Sequence, residues 1–400
     1  MRLANVLAGL ARLGHVDLFV LTHDREHESL VPPPGTPVRR ARAVARPVQR
    51  FTLAARLAWL VGGRLPSAFA GRDYREVRSG FRGWAAGHYD LAWLSRLESY
   101  VALAPCVAAP MIVDLDDLED HKLSGFLGVS SLSGGRSTGA RITRVLSRLQ
   151  GSRNVARWRH LQAAAARSAA AVAVCSELDR QRLGAPNAVV VPNGYDPQDR
   201  PVGRVTVGDP PTLTFPGYHH YPPNADAARY LVKHIGPLVR RDVPGTQIRL
   251  VGPADARIRP LHDPPRVVVT GFVDDIRCEL ARADVVAVPL RYASGTRIKI
   301  LEAFAHRIPV VSTTIGAEGL EVTPGRHLIV ADGAERFAEG CVTLLTQPEV
   351  RRAVVEAAAA LFEERYRWDH IQELVTALGM RVAAGWDPTG QHVGSEAAVV

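Results

Sequence analysis

The stretch from Tyr292 to Ala305 holds the densest chemistry in the chain, with Gly295, Thr296, Arg297, Lys299 and Glu302 following the apolar run that ends at Leu290. Gly295 and Thr296 suit a turn into a helix, whose first free N–H groups attract a phosphate. Arg297 and Lys299 add full positive charge beside those donors. Glu302, on the same helix, offers a carboxylate that accepts from two vicinal ribose hydroxyls. Diphosphate and ribose together point to a nucleotide. The competing explanation is a solvated helix start whose charged side chains make only surface pairs.

Two further groups invite a chemical role. The acidic run from Asp114 to His121 contains a D-x-D, a pattern that can hold a divalent cation with its nucleotide. The phosphate-binding cluster later in the chain makes such a metal redundant, so no metal site is expected. The bland alternative for the run is a set of strand-end carboxylates capping the next helix. His219 and His220 follow a strand and precede Pro222-Pro223-Asn224, a position for donor or acceptor contacts and equally for a solvated turn.

These residues need a frame, and the hydropathy pattern supplies one. Short β-rich runs at 17–22, 90–95, 111–117 and 170–176 alternate with helical stretches in the first half. Residues 32–48 read as a Pro/Arg-rich loop, 51–63 as a partly buried helix, 124–140 as a Gly/Ser-rich loop and 155–169 as an alanine-rich helix. A concentration of Pro, Gly and Asp at 192–211 marks a linker. Beyond it strands at 212–217, 247–252, 267–273, 284–290, 309–313 and 327–331 alternate with helices at 224–240, 275–283 and 297–305, and helices continue to about 383. This is the pattern of a doubly wound parallel sheet. We therefore expect an α/β chain of two Rossmann-like domains: 1–195, a linker at 196–211, and 212–365. A helix at about 366–385 should pack back on the first domain, and 388–400 should fray. The first domain opens on a helix that feeds a strand, so a first strand is expected ahead of Met1.

Several motifs in order resemble one family. GTRIKILEAFAHRIPVVST at 295–313 is similar to the signature of family 4 glycosyltransferases of GT-B fold, in the group with G-T-R-x-K-x-x-E-A in place of E-x7-E. PNGYD at 192–196, the 215–231 stretch from Phe215 to Leu231, VGP at 251–253, GFVDDI at 271–276 and IGAEGL at 315–320 extend the resemblance over about residues 2–375. It implies retaining sugar transfer from a UDP- or GDP-linked donor across a cleft between the domains, without a metal or other cofactor. Glu302 would hold the ribose, while Gly295, Thr296, Arg297 and Lys299 would hold the diphosphate and neutralise the leaving group. Gly271, Phe272 and Val273 would meet the base, Gly217 and His219 would line the donor site, and Asp117, His121 and His220 would touch donor sugar or acceptor. The chain departs from the pattern at Ser294, where the wider family has a carboxylate. It departs again at Tyr218, His219 and His220, where many members have an Arg and a Lys.

Composition narrows the partners. The chain carries 49 Lys+Arg against 40 Asp+Glu, a net charge of +9. Residues 1–170 hold 24 of the basic and 13 of the acidic residues, so the whole surplus lies in the first half. No run approaches the ~20 apolar residues of a membrane helix, and no signal peptide is read at Met1. A cytoplasmic protein is expected, at the inner face of the membrane if its acceptor is anionic or membrane-borne. Neither aromatic-interleaved basic stripes nor a nucleic-acid motif is present, so nucleic acid is not expected as a partner. A nucleotide-sugar-binding protein without catalysis, or a basic membrane-binding module, are the rival functions. Four widely spaced cysteines without a C-x-x-C read as free thiols.

Overall fold

The computed structural model describes residues 2–22, 38–50, 52, 59–130, 138–196, 210–292 and 297–385. The chain divides into two units, one running to Pro192 and resuming at Asp369, the other spanning Asn193–Trp368.

In the first unit α1 (Arg2–Ala11) leads to β1 (Asp17–Thr22), which pairs in parallel with β2 (Arg40–Ala45). β2 corrects the loop expected at 32–48. Its alternating Arg and Ala, with Val44 alone β-branched, do not advertise a strand, and its charge suits a sheet edge. Arg40 stacks over Trp84 at 4.6 Å and pairs with the buried Asp17 carboxylate. After α2 (Arg75–Trp84), the strands β3 (Ala92–Ser95), β4 (Met111–Asp114), β5 (Ala171–Val174) and β6 (Ala188–Val190) form a second parallel sheet in that order. α3 (Arg96–Leu103) connects the first pair and α6 (Glu177–Leu183) the last.

Between β4 and β5 stand α4 (Glu119–Ser130) and α5 (Thr138–Ser168). They correct the loop expected at 124–140, of which only 131–137 lie outside the described residues. Glycine here does not break the helix: Gly151 lies within α5, where a Cβ would stand 2.6 Å from Leu127 Cδ1. The helix expected at 51–63 falls largely outside the described residues, as do most of the linker and all of 388–400.

The acidic run lies at the end of β4 and is engaged by protein cations. Arg2 donates to both Asp114 oxygens, at 2.9 and 2.8 Å, and to the Val191 and Pro192 carbonyls at 3.1 Å each. Asp114 is fully buried. Removing one partner of such a pair leaves an uncompensated buried charge, at a cost of about 3–5 kcal/mol. Asp114→Ala should therefore lower the urea midpoint of the first unit sharply. An unchanged midpoint would show that the pair carries no such weight.

The C-terminal helix, Trp368–Ala383, lies against α1: Thr376 donates to the Gly9 carbonyl at 2.8 Å, and a Cβ on Gly9 would stand 2.8 Å from the Gln372 carbonyl oxygen.

The second unit is one parallel sheet. Its strands are β7 (Thr212–Pro216), β8 (Gln247–Val251), β9 (Val267–Gly271), β10 (Val285–Val288), β11 (Val310–Ser312) and β12 (Ile329–Val330), in the order β12-β11-β10-β7-β8-β9. β7 and β10 are buried throughout, as parallel strands covered on both faces must be. The helix expected at 224–240 is α7 (Pro222–Tyr230) and α8 (Gly236–Asp242), joined by a π turn at Leu231–Ile235. α9 (Ile276–Leu280) and α10 (Ile298–Ala305) follow β9 and β10. The strand order reverses between β7 and β10. In such sheets the crevice at that reversal, outside the carboxyl ends of the strands, is where ligands bind.

Candidate functional site

The two segments that leave this reversal carry the predicted cluster. Gly295 and Thr296 lie outside the described residues. Arg297 stands at the N-cap of α10, buried at 5% exposure, and donates to the Ile315 carbonyl at 3.3 Å. Lys299 and Glu302 follow on the same helix. Its other face (Ile300, Leu301, Ala303, Phe304) is sunk in the core, which fixes where both side chains emerge.

Lys299 reaches back across the reversal to the segment after β7. Its Nζ donates to Asn224 Oδ1 at 3.0 Å and sits 4.2 Å from the centre of the Phe215 ring. Asn224 is held in turn by its Nδ2, which donates to the Tyr218 carbonyl at 3.0 Å. Gly217 makes room for this arrangement, since a Cβ there would stand 2.9 Å from Lys299 Nζ and 3.0 Å from Asn224 Nδ2. Gly252, with φ +123, keeps the neighbouring strand end equally close: its Cβ would stand 2.2 Å from the Gly217 carbonyl oxygen.

Burial dominates the electrostatics of this cluster. Burial and the neighbouring Arg297 push the Lys299 ammonium down to about 7, against the pull of Glu302. Burial pushes the Glu302 carboxyl up to about 7, against a hydrogen bond from Tyr195 and the charge of Lys299. Tyr195 thus stands between Glu302 and His306, whose Nε2 lies 3.2 Å from the Tyr195 hydroxyl.

The remaining predicted residues distribute unevenly. His219 is fully buried against Phe215, and burial followed by the Lys299 charge lowers it to about 4, so it stays neutral near neutrality. His220 is exposed and stacks on Tyr218 with ring centres 4.9 Å apart. Gly271, with φ +73, ends β9, two strands from β7, and Phe272 beyond it is 74% exposed. Val273 continues that turn. Asp117 and His121 belong to the first unit, where Asp117 lies 3.9 Å from Lys122 and His121 4.0 Å from Asp120. Asn224 and Tyr195 were not singled out from the sequence. Both sit inside motifs that were, but only the tertiary fold brings them to α10.

Residues 210–347 match the family described as Glycosyl transferases group 1. A GDP-mannose-dependent monoacylated alpha-(1-6)-phosphatidylinositol monomannoside mannosyltransferase of Corynebacterium glutamicum is 33% identical over 104 residues. That stretch is 24% of this chain and 27% of the relative, so the chain matches about a quarter of that protein's length. Among solved structures, sucrose-phosphate synthase from Thermosynechococcus elongatus superposes with a TM-score of 0.69 at 17% identity, covering 96% of this chain and 93% of that one. Anabaena HepE in complex with UDP and glucose gives 0.62 at 16% identity, covering 94% of each chain. At such identities the likeness speaks for the fold. Residues 210–347 thus match the group 1 glycosyl transferase family within a chain of GT-B fold.

Proposed function

We propose that the protein is a retaining glycosyltransferase that moves a sugar from a UDP- or GDP-linked donor to an acceptor hydroxyl. The observation that carries this reading is the cationic pair Lys299 and Arg297 beside Glu302, on one helix at the strand-order reversal. In the reaction the anomeric C–O bond to the diphosphate breaks, the acceptor oxygen bonds to the anomeric carbon as its hydroxyl proton passes to the departing phosphate oxygen, and the nucleoside diphosphate leaves with the bonding electron pair. Stabilising that developing charge is the main task of such a site. Lys299 and Arg297 perform it, with Gly295 and Thr296 supplying backbone donors, so that protein cations fill the role a divalent ion plays elsewhere. Glu302 holds the ribose, Gly271 to Val273 meet the base, Gly217 and His219 shape the donor site, and Asp117, His121 and His220 serve the donor sugar or acceptor. UDP in the Anabaena structure and GDP-mannose in the name of the Corynebacterium relative support a nucleotide-sugar donor. The phosphatidylinositol in that name and the basic first half support an anionic, membrane-borne acceptor. Among the described residues no helix is long and apolar enough to cross a membrane. Such an acceptor places the protein at the inner membrane face.

The two shifted groups give this reading a pH signature. A bound diphosphate raises Lys299 above its free value of about 7, so affinity falls as pH rises past 7. Ribose hydroxyls donating to ionised Glu302 lower it below its free value of about 7, so affinity also falls as pH drops beneath 7. Each limb is at most about tenfold per pH unit, by linkage. Calorimetric titration with a nucleotide sugar, whose diphosphate has no ionisation near neutrality, should give a bell with its apex near 7. A flat profile would contradict the assignment of both groups.

A further inference from the structure

The first unit holds a second cationic hollow, remote in sequence from the donor cluster. It has a volume of about 740 Å³, and its lining includes Leu60, Val61, Arg64, Arg153, Arg157 and His160. Three guanidinium groups and an imidazole converge there, and among the described residues no carboxylate lines it. Arg153, Arg157 and His160 share one face of α5, at the i, i+4 and i+7 spacing. Like charges at i, i+4 oppose helix formation, so the cluster works against the stability of α5.

The hollow is built, not incidental. Arg157 donates through Nε to the Gly63 carbonyl and through Nη2 to the Trp59 carbonyl, both at 2.6 Å, while its guanidinium lies 3.9 Å from the centre of the Trp59 ring. Asn154 fastens the same segment, accepting from Ser67 N at 2.9 Å and donating to Ser67 Oγ at 3.0 Å. The third nitrogen of Arg157, Nη1, is buried and has no hydrogen-bond partner. Burial and the charge of Arg153 lower Arg157 from its ordinary value, with no anion opposing them. Among the described residues no acidic side chain pairs with Arg64, Arg153 or His160. Beside this charge the surface is apolar: Val61 is 92% exposed, and Leu149, one turn before Arg153, is 55% exposed.

We propose that Arg64, Arg153, Arg157 and His160 form a binding site for the phosphate group of a phosphate ester. Guanidinium forks match phosphate oxygens in geometry and charge. The exposed Val61 and Leu149 suit an ester whose organic part is apolar. The site stands independently of the donor reading, because none of its residues belongs to the second unit.

The test uses the full chain in a Lys299→Ala background, which silences the other cationic site. Methyl phosphate is titrated calorimetrically into this protein and into the same protein carrying Arg64→Gln and Arg153→Gln. Both arginines are exposed, so the fold is retained. Saturable binding that weakens about tenfold or more with the two substitutions is expected, the scale of a lost charge-assisted hydrogen bond. Sedimentation with phosphatidylcholine vesicles, with and without phosphatidic acid, then assigns the source. Recruitment that requires phosphatidic acid and both arginines makes the ester a lipid headgroup, whereas methyl phosphate binding without recruitment makes it a soluble ester, and both support the site. Methyl phosphate binding that is absent in the Lys299→Ala background, or unchanged by the arginine substitutions, would overturn it. So would binding seen only with oligonucleotides and growing with their length.

Discussion

Lys299→Met lowers turnover by about 10²–10³-fold, the loss seen when one preorganised donor to a developing anion is removed. The substitution keeps the length and apolar stem of the side chain and takes away its charge. Ground-state affinity for a nucleoside diphosphate falls less, by about 10–100-fold, the scale of one charge-assisted hydrogen bond. The split follows from where the charge appears, since the diphosphate gains negative charge only as the sugar leaves. The same variant should melt at a higher temperature than the parent. Burial depresses Lys299 from 10.5 to about 7, so holding it protonated near neutrality works against the fold, and this penalty is present below 10.5 and grows until pH falls to about 7. Methionine removes it, a trade of stability against function expected at such sites. Comparing melting temperature and turnover in one preparation checks both halves. Full turnover in Lys299→Met would remove Lys299 from the leaving-group role.

Glu302→Gln is the second large effect, and its signature is selectivity. The ionised carboxylate accepts from both ribose hydroxyls, whereas the amide offers one neutral acceptor oxygen and puts a donor in place of the other. Affinity for the ribonucleotide should fall about 10–100-fold, while affinity for the 2′-deoxy analogue, which uses only one of those contacts, falls less. The parent's preference for ribose therefore shrinks. The acid limb of the pH profile should vanish with the titrating group, leaving only the fall above 7 set by Lys299. Titration of UDP and 2′-deoxy-UDP into parent and variant measures this, and an unchanged preference would place the ribose elsewhere. Tyr195 is the positioning partner in this account, because its hydroxyl donates to Glu302 and is itself held by His306.

The strands of the second unit were legible because burial on both faces demands nearly continuous Val, Leu and Ile, as in Val285–Val288. The strand Arg40–Ala45 was not, because its stability comes from pairing with β1 and from Arg40 against Asp17 and Trp84, contacts that local propensity does not encode. Glycine misled at 124–130, which lies in the helix α4 instead of a loop. At the site, Arg297, Lys299 and Glu302 could be read from a single helix. Asn224 reaches Lys299 from 75 residues away, and Tyr195 reaches His306 from 111. Such partners follow from strand order, which the sequence pattern implies as a class but not as specific contacts. The burial of His219 was hidden for the same reason, since adjacent His219 and His220 look alike until Phe215 covers one of them.

The central claim is that the second unit grips a nucleoside through its diphosphate, using Lys299 and Arg297. It is tested most directly by titrating UDP, GDP and their monophosphates into the full chain and into Lys299→Met near pH 7. The account predicts that one diphosphate binds at least about tenfold tighter than its monophosphate in the parent, and that Lys299→Met erases most of this difference. Equal affinity for diphosphate and monophosphate in the parent, or a preference that survives Lys299→Met intact, would contradict it.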